Sequence, residues 1–378
     1  MTRHKRKKLR NFFRIAAVIL PSAIILSKAA DIKAVFRKMD SITLEKNWEI
    51  EEYTEPSTTE TETAEETTLN EELILSQGYG IYEEPDETEN TETTSADAGA
   101  KPYPSESDWI KGGSIIRTTY GTFSGTTYFD LEECGQVNNK TDISNETLFE
   151  ESKKSPDFTI SDTSEPQVLI YHTHTTETFE PYVRDFCDAE FNYRTTDETK
   201  NMIMVGDAIQ TELEEQGIGV VHARDIHDYP SYNGSYSRSR ETVTKILEEY
   251  PEIKVVLDIH RDAIASDSGA YQPYVEIDGK EAAQIMIISC CDDGSMELPD
   301  YMQNFHFATS LQQQIESDYS GLTRPLLFDY RKYNQDLSVG SLLIEVGSHG
   351  NTLEQAEYSG QLIGKSLARL LNSMKEDE

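Results

Sequence analysis

Basic side chains are scarce in this chain: 34 Lys and Arg stand against 69 Asp and Glu over 378 residues, a net charge of −35. That balance excludes a protein whose whole surface neutralises nucleic-acid phosphates. Cysteine is scarcer still, with only Cys134, Cys187, Cys290 and Cys291. Two of these are adjacent and none forms a C-x-x-C, so neither a disulfide framework nor a four-cysteine zinc site is encoded. Apolar residues reach only 37%, so part of the chain lacks the material for a core. We find no internal repeat.

The one long apolar run is N-terminal. Arg3, Lys5, Arg6, Lys7, Lys8 and Arg10 precede an apolar stretch from Phe12 to Leu26, broken by Arg14 and Pro21. A basic head before an apolar segment near the short limit of about 17–25 residues reads as a single-pass membrane anchor. The same order serves a secretory signal, with a weak cleavage site at Ser27-Lys28-Ala29. Either way, the chain beyond about residue 30 is expected on the extracytoplasmic side of the cell membrane.

Residues 51–100 hold 16 Asp or Glu, 11 Thr and no Lys or Arg. Such a stretch cannot bury enough apolar surface to offset its ordering entropy, and its charges repel. The sequence therefore predicts a tail and anchor over 1–30, a disordered acidic stalk over 31–108 and a folded domain over 109–374. About 75 residues of stalk would span on the order of 50 Å.

Order is expected from near Trp109. The Thr-, Tyr- and Gly-rich stretch 113–132 predicts a small β element of the hairpin kind and then a polar connection to about residue 164. Beyond it, strand-like runs at Val168–Tyr171, Val255–Ile259, Ile285–Ser289 and Leu342–Val346 alternate with helical patterns at 199–216, 238–249 and 300–318. A capping box, Thr352-Leu-Glu-Gln355, opens a last helix. This alternation predicts an α/β domain whose mostly parallel sheet is flanked by helices.

Three of these strand runs end in chemistry. Val168-Leu-Ile-Tyr leads into His172-Thr-His174-Thr-Thr-Glu177, Val255-Val-Leu-Asp-Ile into His260-Arg261-Asp262, and Leu342-Leu-Ile into Glu345. Parallel strands share a carboxyl edge, where ligands bind. Imidazoles and a carboxylate converging there suit a catalytic zinc ion with one position open to water. Glu345, at the end of an apolar run, suits the acid/base role. His172 and His174 are expected to face opposite ways, one a ligand and the other a support or core residue. His222, His227, His306 and His349 are read as surface or helix residues, with His349 notable for lying near Glu345.

At these motifs, and at Tyr333-Asn-Gln-Asp-Leu-Ser338, the sequence resembles the stage II sporulation protein P family over roughly residues 112–374. The resemblance implies an amidase-like α/β fold and a membrane-anchored peptidoglycan hydrolase of sporulation engulfment. It would cut the N-acetylmuramoyl-L-alanine amide and also peptide cross-links. The implied partners are a lytic transglycosylase, stage II sporulation protein D, and a membrane protein, stage II sporulation protein M. Carried over residue by residue, it implies His174 and His260 as zinc ligands, Glu345 as the catalytic glutamate and His172 as a supporting residue. The carboxylate ligand falls on Glu177, with Glu198 as the alternative. Arg261 offers a planar fork for a substrate carboxylate, and Asn334 and Gln335 offer hydrogen bonds to peptide or sugar groups. Two other readings stand beside the amidase: a catalytically silent wall-binding or scaffolding module, and an exported zinc carboxypeptidase or endopeptidase.

Overall fold

The computed structural model describes residues 99–105, 107–161, 165–266 and 269–375. The expected anchor, and the stalk up to residue 98, lie outside the described residues. Among those described, no helix is long and apolar enough to cross a membrane.

The described chain runs β1 (Lys111–Thr118), β2 (Tyr128–Asp130), β3 (Gln136–Asn139), α1 (Asn145–Glu151), β4 (Val168–Tyr171), β5 (Phe186–Asp188), α2 (Met202–Glu215) and β6 (Val220–His222). It continues through α3 (Ser235–Glu249), β7 (Val255–Asp262), β8 (Ala265–Ser266), β9 (Gly269–Ile277), β10 (Lys280–Ala283), β11 (Ile285–Cys291) and α4 (Tyr301–Asp318). It closes with β12 (Leu326–Tyr330), β13 (Gly340–Ser348) and α5 (Leu353–Ser373). The main sheet has the order β2-β3-β12-β11-β13-β7-β4-β6, and a second sheet runs β10-β9-β1-β5 with β8 on β9.

The α/β class is as expected, but the sheets are mixed rather than mostly parallel. Six ladders are parallel and five antiparallel among the described residues. The reversal comes from the excursion between β7 and β11. Its hairpin β9–β10 turns on Asp278-Gly279, both with positive φ, the two-residue connection that matches strand twist. β11 then enters antiparallel to β13. The expected hairpin at 113–132 is also corrected, because β1 pairs with β9 and β5 while β2 pairs with β3. The polar connection before residue 164 contains β3 and α1. Polar Gln136 and Asn139 can be buried because their amides donate to the Phe123 and Ile143 carbonyls.

Side-chain alternation sorts the main sheet into two faces. Val168, Ile170, Val255, Leu257, Ile259, Leu342, Ile344 and Val346 join the large core with residues of α2, α4 and α5. Leu169, Tyr171 and Val256 face the other way, onto Val243 of α3. Each such side chain sealed from water contributes about 1.5–3 kcal/mol. Helices α2 and α5 begin on side-chain caps: Asn201 accepts from Ile203 N, and Thr352 and Gln355 form the reciprocal capping box. Each cap is worth about 1 kcal/mol.

α2 approaches β4 closely at Gly206. A Cβ there would lie 2.8 Å from His172 Nε2 and nearer still to the His222 ring. Gly206→Ala is therefore expected to destabilise the domain by about 1–3 kcal/mol, against the small gain alanine normally brings inside a helix. Thermal denaturation would show it. An unchanged or raised Tm would mean that the two rings give way.

Candidate active site

β4, β7 and β13 are mutually parallel, so their carboxyl ends share one edge. Glu345 lies directly opposite His260 in the β7–β13 ladder. Asp258, His260 and Asp262 alternate along β7 and so share a face, the one turned towards α3. The imidazole and the carboxylates thus gather opposite the large core.

His260 is 3% exposed. Its Nε2 lies 2.8 Å from Asp258 Oδ1, without the alignment of a hydrogen bond, and its Nδ1 lies 3.9 Å from Glu177 Oε2. Burial opposes its charge, yet Asp258, Glu177 and Glu345 push it up to about 9. Asp258 also accepts from Thr173 N at 2.8 Å and from Thr173 Oγ1 at 2.7 Å, fastening the exit of β4 to β7. Burial alone would raise the Asp258 carboxyl, but His260 and the Thr173 donors hold it below the usual range.

His174 stands beside His260 with ring centroids 5.1 Å apart. It stacks on Tyr232 at 4.6 Å, and its Nε2 is hydrogen-bonded with the Tyr232 hydroxyl over 3.0 Å. His172 faces the opposite way, as expected, but strand alternation is not the cause, since residues two apart share a face of a strand. β4 ends at Tyr171, and the turn over 173–176 swings His174 round to the α3 side. His172 stays on the α2 side. Its Nδ1 donates to the Ile259 carbonyl at 2.9 Å, which leaves Nε2 to accept from His222 at 2.8 Å. His227 and His306 are also buried, and the side chain of His222 is nearly so. His306 is a helix residue, as expected, whereas His222 in β6 and His227 in a buried loop are neither surface nor helix residues, which corrects the expectation for those two.

Glu177 is buried in the same cluster. Its Oε2 accepts from Arg261 N at 3.2 Å, and its Oε1 pairs with Arg194 Nη2 at 3.4 Å. Burial pushes its pKa up, but Arg261, Arg194 and the two imidazoles outweigh that and keep it low. Glu198 sits elsewhere. It pairs with Arg224 at 2.9 Å, both side chains well exposed.

Glu345 is half-buried, and its Oε2 is sealed from solvent without a hydrogen-bond partner. Burial and the nearby Asp262 and Glu177 carboxylates push it up to about 8, against the pull of His260 and Arg324.

Three residues expected at the substrate are committed inside the protein. Arg261 donates to the carbonyls of Thr178, Asp262 and Tyr193. Asn334 donates to Tyr236 O and Ser239 Oγ. Gln335 accepts from Cys290 N and donates to Ile288 O, both at 2.9 Å. Sequence reasoning missed Asp258, Arg194, Tyr232 and Tyr236. The first was legible, standing two residues before His260 on one strand.

Among the described residues, no three His, Cys, Asp or Glu side chains already form a metal site. The donor chemistry nonetheless fits zinc. Two imidazoles and an ionised carboxylate adjoin one another, a further carboxylate backs one imidazole, and Glu345 leaves a buried oxygen unpaired beside them.

The loop carrying Glu177 is clasped from outside the site. Tyr103 donates to the Phe179 carbonyl at 2.9 Å, and Lys101 N donates to the Arg194 carbonyl at 2.8 Å. Packing thus starts ahead of Trp109. Arg184 lies 4.0 Å from the Trp109 ring and 4.4 Å from that of Phe186, and it forms a buried ion pair with Glu180. Burial raises Glu180 to about 7, although Tyr193 and Arg184 pull the other way. The folded chain then holds an extra proton between the ordinary value of 4.5 and about 7. Stability should therefore fall as pH rises through that window and level off above it. Glu180→Gln removes this contribution. Tm measured from about pH 5 to pH 8 should show the unaltered chain losing ground to the variant, and parallel curves would refute the assignment.

The profile of the family Stage II sporulation protein P (SpoIIP) matches residues 43–368. A curated relative, Stage II sporulation protein P of Bacillus subtilis (strain 168), is 29% identical over 201 residues, which is 50% of this chain and 47% of that one. The match thus spans about half the length of the relative. Among solved structures, the N-acetylmuramoyl-L-alanine amidase AmiC2 of Nostoc punctiforme aligns at TM-score 0.33 and 12% identity, over 56% of this chain and 97% of that one. An N-acetylmuramoyl-L-alanine amidase from Clostridium difficile 630 aligns at TM-score 0.34 and 15% identity, over 56% and 97%. Likenesses of that size carry no argument about the reaction.

Proposed function

The chain belongs to the stage II sporulation protein P family, and from that membership and the strand-end cluster we propose a zinc-dependent peptidoglycan hydrolase of sporulation. The observation that carries this reading is Glu345. An unpaired, buried carboxylate oxygen stands in ladder register with His260, whose ring adjoins His174 and Glu177.

In this reading His174, His260 and Glu177 hold the zinc. Bound there, the ion supplies a polarised water and a Lewis acid for the scissile carbonyl. Glu345 takes the proton of the attacking water at its unpaired oxygen and delivers it to the departing nitrogen. A carboxyl poised near neutrality suits both transfers. Asp258 steadies His260 from the far side of the ring, a support that metal-bound histidines commonly have. Arg194 and the Arg261 amide keep Glu177 ionised. Arg261, Asn334 and Gln335 shape the walls rather than grip substrate.

The bond cut is the amide between the muramic lactyl group and L-alanine, with peptide cross-links as a further target. The family resemblance extends the proposal to a single-pass anchor, an extracytoplasmic domain, engulfment, and work alongside stage II sporulation proteins D and M. To test the reaction, the full chain is incubated with purified peptidoglycan, with and without a zinc chelator, and the fragments are identified by mass spectrometry. Chelator-sensitive release of free stem peptides is expected. Glycan–peptide units with opened cross-links would make it an endopeptidase, and binding without release would leave a scaffold.

A further inference from the structure

We propose that the Tyr333–Asp336 loop is a brace that sets the plane of the His260 imidazole through Tyr236. The proposal rests on the zinc reading above and makes Tyr236 and Tyr333 positioning residues for a ligand.

The backbone points to it first. Tyr333 and Asn334 are consecutive non-glycine residues in the left-handed region, at φ 42° and 54°. A bulky residue there is strained, and such strain persists only where the surroundings impose it. The surroundings here are two elements. On one side Gln335 is hydrogen-bonded to the backbone of β11 at Ile288 and Cys290. On the other, Asn334 donates to Tyr236 O at 3.1 Å and to Ser239 Oγ at 3.2 Å, while Asp336 takes a two-pronged pair from Arg240 at 2.8 and 2.6 Å. The loop thus bolts the head of α3 to β11.

The rings show what the bolt holds. Tyr333 stacks on Tyr236 with centroids 5.4 Å apart and planes 22° from parallel. Tyr236 stacks in turn on His260, 6.4 Å and 15°, and meets His174 edge-on at 5.7 Å. Arg331 pins the outer end by donating to the Tyr333 hydroxyl at 2.5 Å. Asp258 meets His260 at one nitrogen, 2.8 Å away, a contact that by itself does not fix the plane of the ring against tilt. A stack of near-parallel rings removes that tilt. The tilt matters because the lone pair of Nδ1 lies in the ring plane, and a ligand held loosely holds its ion loosely.

The test compares zinc affinity, by competition with a chromogenic chelator, and Tm of the metal-free full chain for Tyr333→Leu, Tyr333→Phe and Asn334→Gly. Glycine accepts the left-handed backbone, so the last variant removes the Asn334 bonds to Tyr236 and Ser239, leaving the Asp336–Arg240 pair, without adding strain. Tyr333→Leu is expected to weaken zinc binding about ten- to a hundredfold, the usual effect of losing a ligand's outer support. Tyr333→Phe, which keeps the ring, should stay close to the unaltered chain, and Asn334→Gly should fall between. If Tyr333→Leu and Asn334→Gly lower Tm but bind zinc as tightly as the unaltered chain, the loop is a wall and the brace is refuted. If Tyr333→Leu does not fold, Asn334→Gly alone decides. An unaltered chain that binds no zinc would bring down the metal reading itself, and the brace with it.

Discussion

Glu345→Gln should lower kcat by roughly a hundred- to ten-thousandfold while zinc content stays that of the unaltered chain. The substitution keeps the shape of a side chain wedged between His260 and the Asp262 and Glu177 carboxylates, and removes only its capacity to carry a proton. Among those like charges an amide relieves repulsion, so Tm should hold or rise. The loss should fall on kcat rather than KM, because the group acts in the proton transfers and not in ground-state binding. Stem-peptide release followed by mass spectrometry, with metal content by elemental analysis, measures both halves. Activity within about tenfold of the unaltered chain would remove Glu345 from the mechanism; lost zinc would make it a ligand instead.

The second large effect belongs to His260. Its replacement by Ala takes one of three proposed protein ligands and should weaken zinc binding by more than about a hundredfold. It also strips the buried Asp258 carboxylate of its cationic neighbour, a type of loss that costs about 3–5 kcal/mol. The two consequences separate in Asp258→Asn, which keeps the ligand and alters only its support. There, zinc affinity should fall about ten- to a hundredfold. Equilibrium dialysis against zinc, alongside denaturant titration of the metal-free chains, distinguishes them. Equal zinc affinity in all three proteins would mean that the ion, if bound, sits elsewhere.

What could be read in advance follows from how locally each feature is encoded. The strands carrying the site are short apolar runs with polar ends, and the capping box of α5 is four consecutive residues, so both were visible. So was the pairing of a strand-end histidine with a glutamate on another strand, since parallel neighbours share an edge. The orientation of His174 was not, because it depends on where β4 stops and the turn begins. Asp258 and Asp262 could have been found by counting two residues either way from His260. The antiparallel β11 had a marker too, in Asp278-Gly279 between two β-rich runs. By contrast, Asn334 and Gln335 look like exposed polar residues in any local reading. Their partners, Tyr236, Ser239, Ile288 and Cys290, are distant in sequence, and only the fold reveals that those amides are already used. The bond between Thr173 and Asp258 spans 85 residues and has no local trace at all.

That ladder of distant pairings also governs when the site comes into being. His174 just after β4, His260 on β7 and Glu345 on β13 emerge in that order, and β13 lies between β7 and β11. Contacts of such sequence separation are slow to close and contribute nothing until they do. A chain made from its amino end therefore carries both imidazoles well before it carries Glu345, the proposed proton carrier. On the proposed mechanism, every nascent, trapped or clipped form lacking β13 would be inert, whatever else in it has folded. If the proposed wall-hydrolase reading holds, the topology would act as a timer, with the last element to lock into the sheet the one that arms it.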